Sequence, residues 1–147
     1  MALEDLYQEI ILDHARHPRN SAVLDHIPDS LAHENPTCGD TVKLEVTLDQ
    51  AGAAIQRVRV QCRGCAISTA SASIMSQIQC GKSVAEARRL AQDFISGLRD
   101  GRPGGPLDDI EELAAFKGVM RFPVRVKCAT LAWHALLSAL PHAVTGE

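Results

Sequence analysis

Residues 38–65, CGDTVKLEVTLDQAGAAIQRVRVQCRGC, decide the fold. From Thr41 the period is two: Val42, Leu44, Val46 and Leu48 alternate with Thr41, Lys43, Glu45 and Thr47. That is the pattern of a strand with one buried and one wet face. DQAG, residues 49–52, supplies a turn, after which Val58, Val60 and Cys62 alternate with Arg57, Arg59 and Gln61. Two such runs about a glycine-containing turn read as an antiparallel hairpin. A hairpin sets the entrance of its first strand beside the exit of its second. Cys38 and Asp40 are thereby brought to the sheet edge that carries Cys65.

Outward from the hairpin the period becomes helical. Residues 3–16 place Leu3, Leu6, Tyr7, Ile10, Ile11 and His14 at helical spacing, and Pro18 ends that helix. Residues 17–37 read as a loop with room for one short strand. CAISTASASIMSQIQC, residues 65–80, is small and apolar without alternation, the composition of a tightly packed helix, with Gly81 as its C-cap. Ser83 and Glu86 form a capping box opening a helix to about Gly97. GLRDGRPGGP, residues 97–106, is expected to be a surface loop, and residues 107–118 one short helix. Pro123 suits the first turn of a last helix over about 124–140, with Cys128, Leu131, Ala132, Ala135, Leu136 and Ala139 on one face. The expected architecture is α+β, a small antiparallel sheet packed against several helices.

A length of 147 residues suits a single domain, 1–147, that buries a core without disulfides. Aromatic residues are scarce at 3%, so Leu, Val, Ile and Ala are expected to fill that core. The net charge is −3 with scattered basic residues, which argues against a nucleic-acid partner. No window is apolar enough to span a membrane, and the first residues lack a secretory pattern, so a cytoplasmic protein is expected. In a reducing compartment the five cysteines (38, 62, 65, 80 and 128) serve as metal ligands, reactive thiols or buried hydrophobes.

Cys38, Asp40 and Cys65 share one edge, and Cys128 completes a set of four if the last helix packs its N-terminal end there. Three thiols and a carboxylate suit zinc, or an iron–sulfur cluster, rather than magnesium or calcium. The carboxylate points to a site whose ligands exchange. Cys62 falls on the apolar strand face with Val58 and Val60 and is read as buried. Its CRGC spacing with Cys65 leaves a redox or auxiliary thiol role as the alternative. Cys80 is read as packing. His14 and His17, near a helix C-terminus, favour cationic character, and His134 lies off the Cys128 face. Arg125 and Lys127, flanking Cys128, read either as solvated charge or as groups that attract an anion or a partner.

ENPTCGDTVKLEV (34–46), GCAISTASASIM (64–75) and RVKCATLAWHALL (125–137) resemble the U-type proteins of iron–sulfur cluster assembly. Lys127 stands where scaffold members carry His before the third cysteine, and the Cys65–Cys128 segment is long. Both features resemble the SufU branch rather than the IscU scaffolds. The resemblance implies a SufU/IscU-like fold and one zinc ion per chain on Cys38, Asp40, Cys65 and Cys128. It further implies that Cys38 is catalytic, accepting persulfide sulfur from a SufS-type cysteine desulfurase, with sulfur passing on to an iron–sulfur cluster scaffold. An IscU-like scaffold holding a transient cluster is the alternative reading, and a purely structural zinc module is a third. Cys62 departs from relatives, which usually have glycine there.

Overall fold

The structure, a computed structural model, describes residues 3–101 and 104–141. Helix α1 (Leu3–Arg16) precedes three antiparallel strands, β1 (His33–Asn35), β2 (Asp40–Leu48) and β3 (Ile55–Arg63), in the order β1-β2-β3. The helices α2 (Ala66–Gln79), α3 (Val84–Asp100), α4 (Pro106–Asp109), α5 (Glu111–Ala114) and α6 (Pro123–Ala139) follow. The expected hairpin is β2–β3, with Val42 opposite Cys62 and Leu44 opposite Val60. The short strand expected between 17 and 37 is β1, which pairs Asn35 with Asp40.

One sheet face is covered by α2, against β3, and α6, against β1 and β2; α1 packs on α2 and α3 on α6. Helix α2 is buried on several sides, including Ser68, Ala70, Ser71, Ala72 and Ser73, because small side chains let neighbours approach closely. Its hydroxyls are satisfied within the core: Ser71 Oγ donates to the Ala129 carbonyl and accepts the Trp133 indole N–H at 2.9 Å.

Several expectations are corrected. The wet sheet face is partly covered, since Lys43 is buried beneath the 3₁₀ turn Asp29–Leu31 and pairs with Asp29 at 2.8 Å. Helix α3 runs past Gly97 to Asp100 and caps at Gly101, whose φ of 66° is left-handed. Gly97 lies within the helix and serves close packing rather than chain termination, since a Cβ there would meet Leu107 Cδ1 at 2.8 Å. Of the expected loop, Arg102 and Pro103 lie outside the described residues. The helix expected over 107–118 breaks at Ile110, which is extended. On one continuous helix Leu107 and Leu113 would face apart; the break lets both enter the core.

The core is not purely aliphatic. Trp133 and Phe94 pack with ring centroids 4.5 Å apart, and Phe116 meets Phe94 edge-on at 6.0 Å. Ala139 is exposed rather than on the buried face of α6. Gly81 has the left-handed φ of 90°, yet its N–H bonds the Ile55 carbonyl rather than the helix it follows. Among the described residues no helix is long and apolar enough to cross a membrane.

Candidate metal centre

The site begins with the four residues joining β1 to β2. Asn35 closes this turn: its carbonyl accepts the Cys38 N–H at 3.2 Å and the Gly39 N–H at 2.7 Å, and its Oδ1 accepts the Thr37 N–H at 3.2 Å. Gly39 takes a left-handed φ of 76°, which a glycine adopts without steric cost. The turn leaves Cys38 exposed at its outer end. Asp40, the first residue of β2, points inward and is 3% exposed.

Across the ladder, Thr41 pairs with Arg63, so Asp40 faces Gly64. A Cβ on Gly64 would sit 2.6 Å from Asp40 Oδ1, so the carboxylate occupies the space a side chain would need. Cys65 then caps α2. Its backbone N–H donates to Asp40 Oδ1 at 3.1 Å, its Sγ lies 3.6 Å from Asp40 Oδ2, and that sulfur accepts the Ser68 N–H at 3.5 Å. The Cys65 sulfur thus satisfies one of the backbone N–H groups left open at the start of α2.

Cys128 arrives from the second turn of α6, only 1% exposed. Its Sγ stands 3.3 Å from Cys38 Sγ and 3.8 Å from Asn35 Nδ2. Its polar contacts are thus side chains, Asn35 on β1 and the neighbouring donors of the cluster. The ligand atoms of Cys38, Asp40 and Cys128 lie within 4.8 Å of one another, and Cys65 joins this cluster through Asp40.

The donor set fits zinc. Tetrahedral zinc with bonds of about 2.3 Å to sulfur and 2.1 Å to oxygen sets its donor atoms about 3.6–3.8 Å apart. The Cys65–Asp40 spacing of 3.6 Å matches and the Cys38–Cys128 spacing of 3.3 Å is slightly tighter. Burial tends to raise the Asp40 carboxyl. Hydrogen bonds from Cys38, Ser68, Cys128 and the Cys65 N–H outweigh it and hold Asp40 below the ordinary carboxylate value. Cys128 moves the other way, pushed up by burial and by Cys38, Asp40 and Cys65 beside it.

The remaining candidates separate from this cluster. Cys62 is half-buried against the core, and burial pushes its thiol up to about 11. Cys80 is exposed, contrary to the packing expected, and its thiol donates to the Gln56 carbonyl at 3.3 Å. His14 is buried with Nδ1 2.8 Å from Ser73 Oγ, and burial lowers its pKa, so it is held neutral rather than cationic. Arg125, Lys127 and His134 are exposed. Sequence reasoning missed Asn35, Gly64 and Ser68. Of these only Ser68 left a signal, standing three residues after the N-cap, where a capping partner is placed.

A family model for the NifU-like N-terminal domain matches residues 6–142. The chain belongs to this family. It is 40% identical to the zinc-dependent sulfurtransferase SufU of Bacillus subtilis over 136 residues, covering 91% of this chain and 88% of that one. It is 36% identical to the iron–sulfur cluster assembly scaffold protein IscU of Streptococcus pyogenes over 145 residues, covering 99% and 89%. Its fold superposes on a crystal structure described as a putative iron–sulfur cluster assembly scaffold protein for the SUF system, from Fervidobacterium islandicum. That match has a TM-score of 0.78 at 28% identity and covers 94% and 98% of the two chains. The SufU/IscU-like α+β fold expected from the sequence is the fold of this NifU-like family member.

Proposed function

We propose that this NifU-like chain is a single-domain, cytoplasmic, zinc-dependent sulfurtransferase of iron–sulfur cluster assembly. In this reading it takes sulfur from a SufS-type cysteine desulfurase, stimulates that enzyme, and passes the sulfur towards a cluster scaffold. One observation carries the reading: of the four clustered donors, Cys38 alone is exposed, and it sits on a turn beside a left-handed glycine. Asp40 and Cys128 are buried and Cys65 caps a helix, so three donors are anchored and one is presented.

Cys38, Asp40, Cys65 and Cys128 would hold one zinc ion, which when bound keeps thiols ionised at neutral pH. Cys38 Sγ, as thiolate, attacks the outer sulfur of the desulfurase persulfide. The persulfide S–S bond breaks, the desulfurase cysteine leaves as thiolate, and Cys38 carries the transferred sulfur as its own persulfide. Asn35 positions the turn for this attack, while Arg125 and Lys127 lend positive charge on the helix that carries Cys128. The similarity to a protein named a zinc-dependent sulfurtransferase supports this reading.

The second reading is a scaffold for a transient cluster, favoured by the similarity to proteins named IscU. Protein purified without oxygen separates the two. One zinc per chain, a colourless solution, and stimulation of a cognate desulfurase that is lost in Cys38→Ala are expected for transfer. Iron, sulfide and a brown solution would overturn it. Loss of folding in Cys38→Ala in proportion to lost zinc would instead mark a structural module.

A further inference from the structure

Ser68 occupies a central place among the candidate ligands while being none of them. It lies on the first turn of α2 and is 1% exposed. Its Oγ hydrogen-bonds Asp40 Oδ2 and stands 3.6 Å from Cys65 Sγ and 3.4 Å from the Cys128 carbonyl oxygen. Its backbone N–H donates to Cys65 Sγ at 3.5 Å. One residue therefore touches three of the four donors' residues.

A serine hydroxyl has a single proton to give. The Asp40 carboxylate is the anionic acceptor in reach and takes it; the Cys128 carbonyl is longer and neutral. The other carboxylate oxygen, Oδ1, accepts the Cys65 N–H at 3.1 Å. Both oxygens are thus engaged from the same end of α2, and the carboxylate cannot rotate without losing a bond. With Gly64 leaving no free volume on the facing strand, Asp40 is confined to one orientation.

We infer that Ser68 is a positioning residue for the metal centre, orienting Asp40 and Cys65 together so that they are preorganised as a ligand pair. This rests on the reading of Cys38, Asp40, Cys65 and Cys128 as zinc ligands. Groups that orient ligands in this way contribute about 10–100-fold to metal affinity. The ordinary alternative is a buried serine satisfied by its surroundings, and Ser71 shows what that looks like. Ser71 bonds the Ala129 carbonyl and the Trp133 indole and contacts none of the four candidate ligands' side chains.

The test compares full-length wild type, Ser68→Ala, Ser68→Thr and Ser71→Ala. Zinc affinity is read by competition with a chromophoric chelator, ligand geometry by the visible spectrum of the cobalt(II)-substituted protein, and metal-free stability by denaturant unfolding. Ser68→Ala is expected to bind zinc about 10–100-fold more weakly and to shift the cobalt d–d bands. Ser68→Thr, which keeps the hydroxyl, should restore both, and Ser71→Ala should lose stability while keeping affinity and spectrum. Wild-type affinity and an unchanged cobalt spectrum in Ser68→Ala would overturn the inference. So would affinity losses in Ser68→Thr or Ser71→Ala equal to that of Ser68→Ala, or a Ser68→Ala chain that does not fold without metal. A wild type that binds no zinc fails before any variant is compared, and that result overturns the ligand reading itself.

Discussion

Gly64 and Asp40 face each other across β2 and β3 so closely that a Cβ on Gly64 would stand 2.6 Å from the carboxylate carbon of Asp40. The carboxylate cannot retreat easily, because Oδ1 is tied to the Cys65 N–H at 3.1 Å and Oδ2 to Ser68. Glycine is required at this position for contact rather than for turn geometry.

Gly64→Ala should therefore act on the site before it acts on the fold. Forcing a methyl group into a filled space costs about 1–3 kcal/mol. Displacing Asp40 should lower zinc affinity by about 10-fold or more. Chelator competition and denaturant unfolding measure the two effects; a variant with wild-type affinity would show that Asp40 is not a ligand.

Asn35→Ala keeps the backbone bonds that close the turn and removes the side-chain bond to the Thr37 N–H and the contact with Cys128 Sγ. A loss of about 0.5–1.5 kcal/mol of stability is expected. The turn bearing Cys38 should also move more freely. Limited proteolysis and the zinc dissociation rate, both expected to rise, check this.

His14 makes stability depend on pH through a group outside the candidate metal centre. Burial lowers its folded pKa below the ordinary value of 6.5, against the favourable charges of Asp13 and Glu112, while Arg19 adds to the lowering. The unfolded chain therefore takes up a proton before the folded one does. The stability contributed by neutral His14 is fully present above pH 6.5 and is lost as the pH falls from there through the lower folded value. Denaturant unfolding of metal-free protein between pH 7.5 and 5 should show that loss, and His14→Gln should flatten it.

Cys62 is expected to be unreactive. With a thiol pushed up to about 11, about one molecule in a thousand is thiolate at pH 8, and the sulfur is half-buried besides. Alkylation of metal-free protein should label exposed Cys38 and Cys80 first and Cys62 late, as read by peptide mass. Rapid labelling of Cys62 would revive the auxiliary thiol suggested by its CRGC spacing.

Local patterns carried much of the fold. Alternation of Val42 through Leu48 and of Val58 through Cys62 marked the hairpin, and the Ser83–Glu86 box is present as a reciprocal cap. Pro123 opens α6 as its fixed φ allows. Where the reading failed, tertiary packing was the missing information: Gly97 is a close contact with Leu107 inside α3 rather than a helix end, and the break at Ile110 lets Leu107 and Leu113 both enter the core.

The sequence by itself determined that Asp40 and Cys65 share one sheet edge, because a hairpin sets the entrance of its first strand beside the exit of its second. Only the tertiary structure decided that Cys128, 90 residues beyond Cys38, reaches the same point. It also decided that Ser68 and Asn35 hold the cluster and that Gly64 makes room for it. Those contacts depend on how α6 and α2 pack on the sheet. Packing is a property of complementary surfaces, and no spacing along the chain records it.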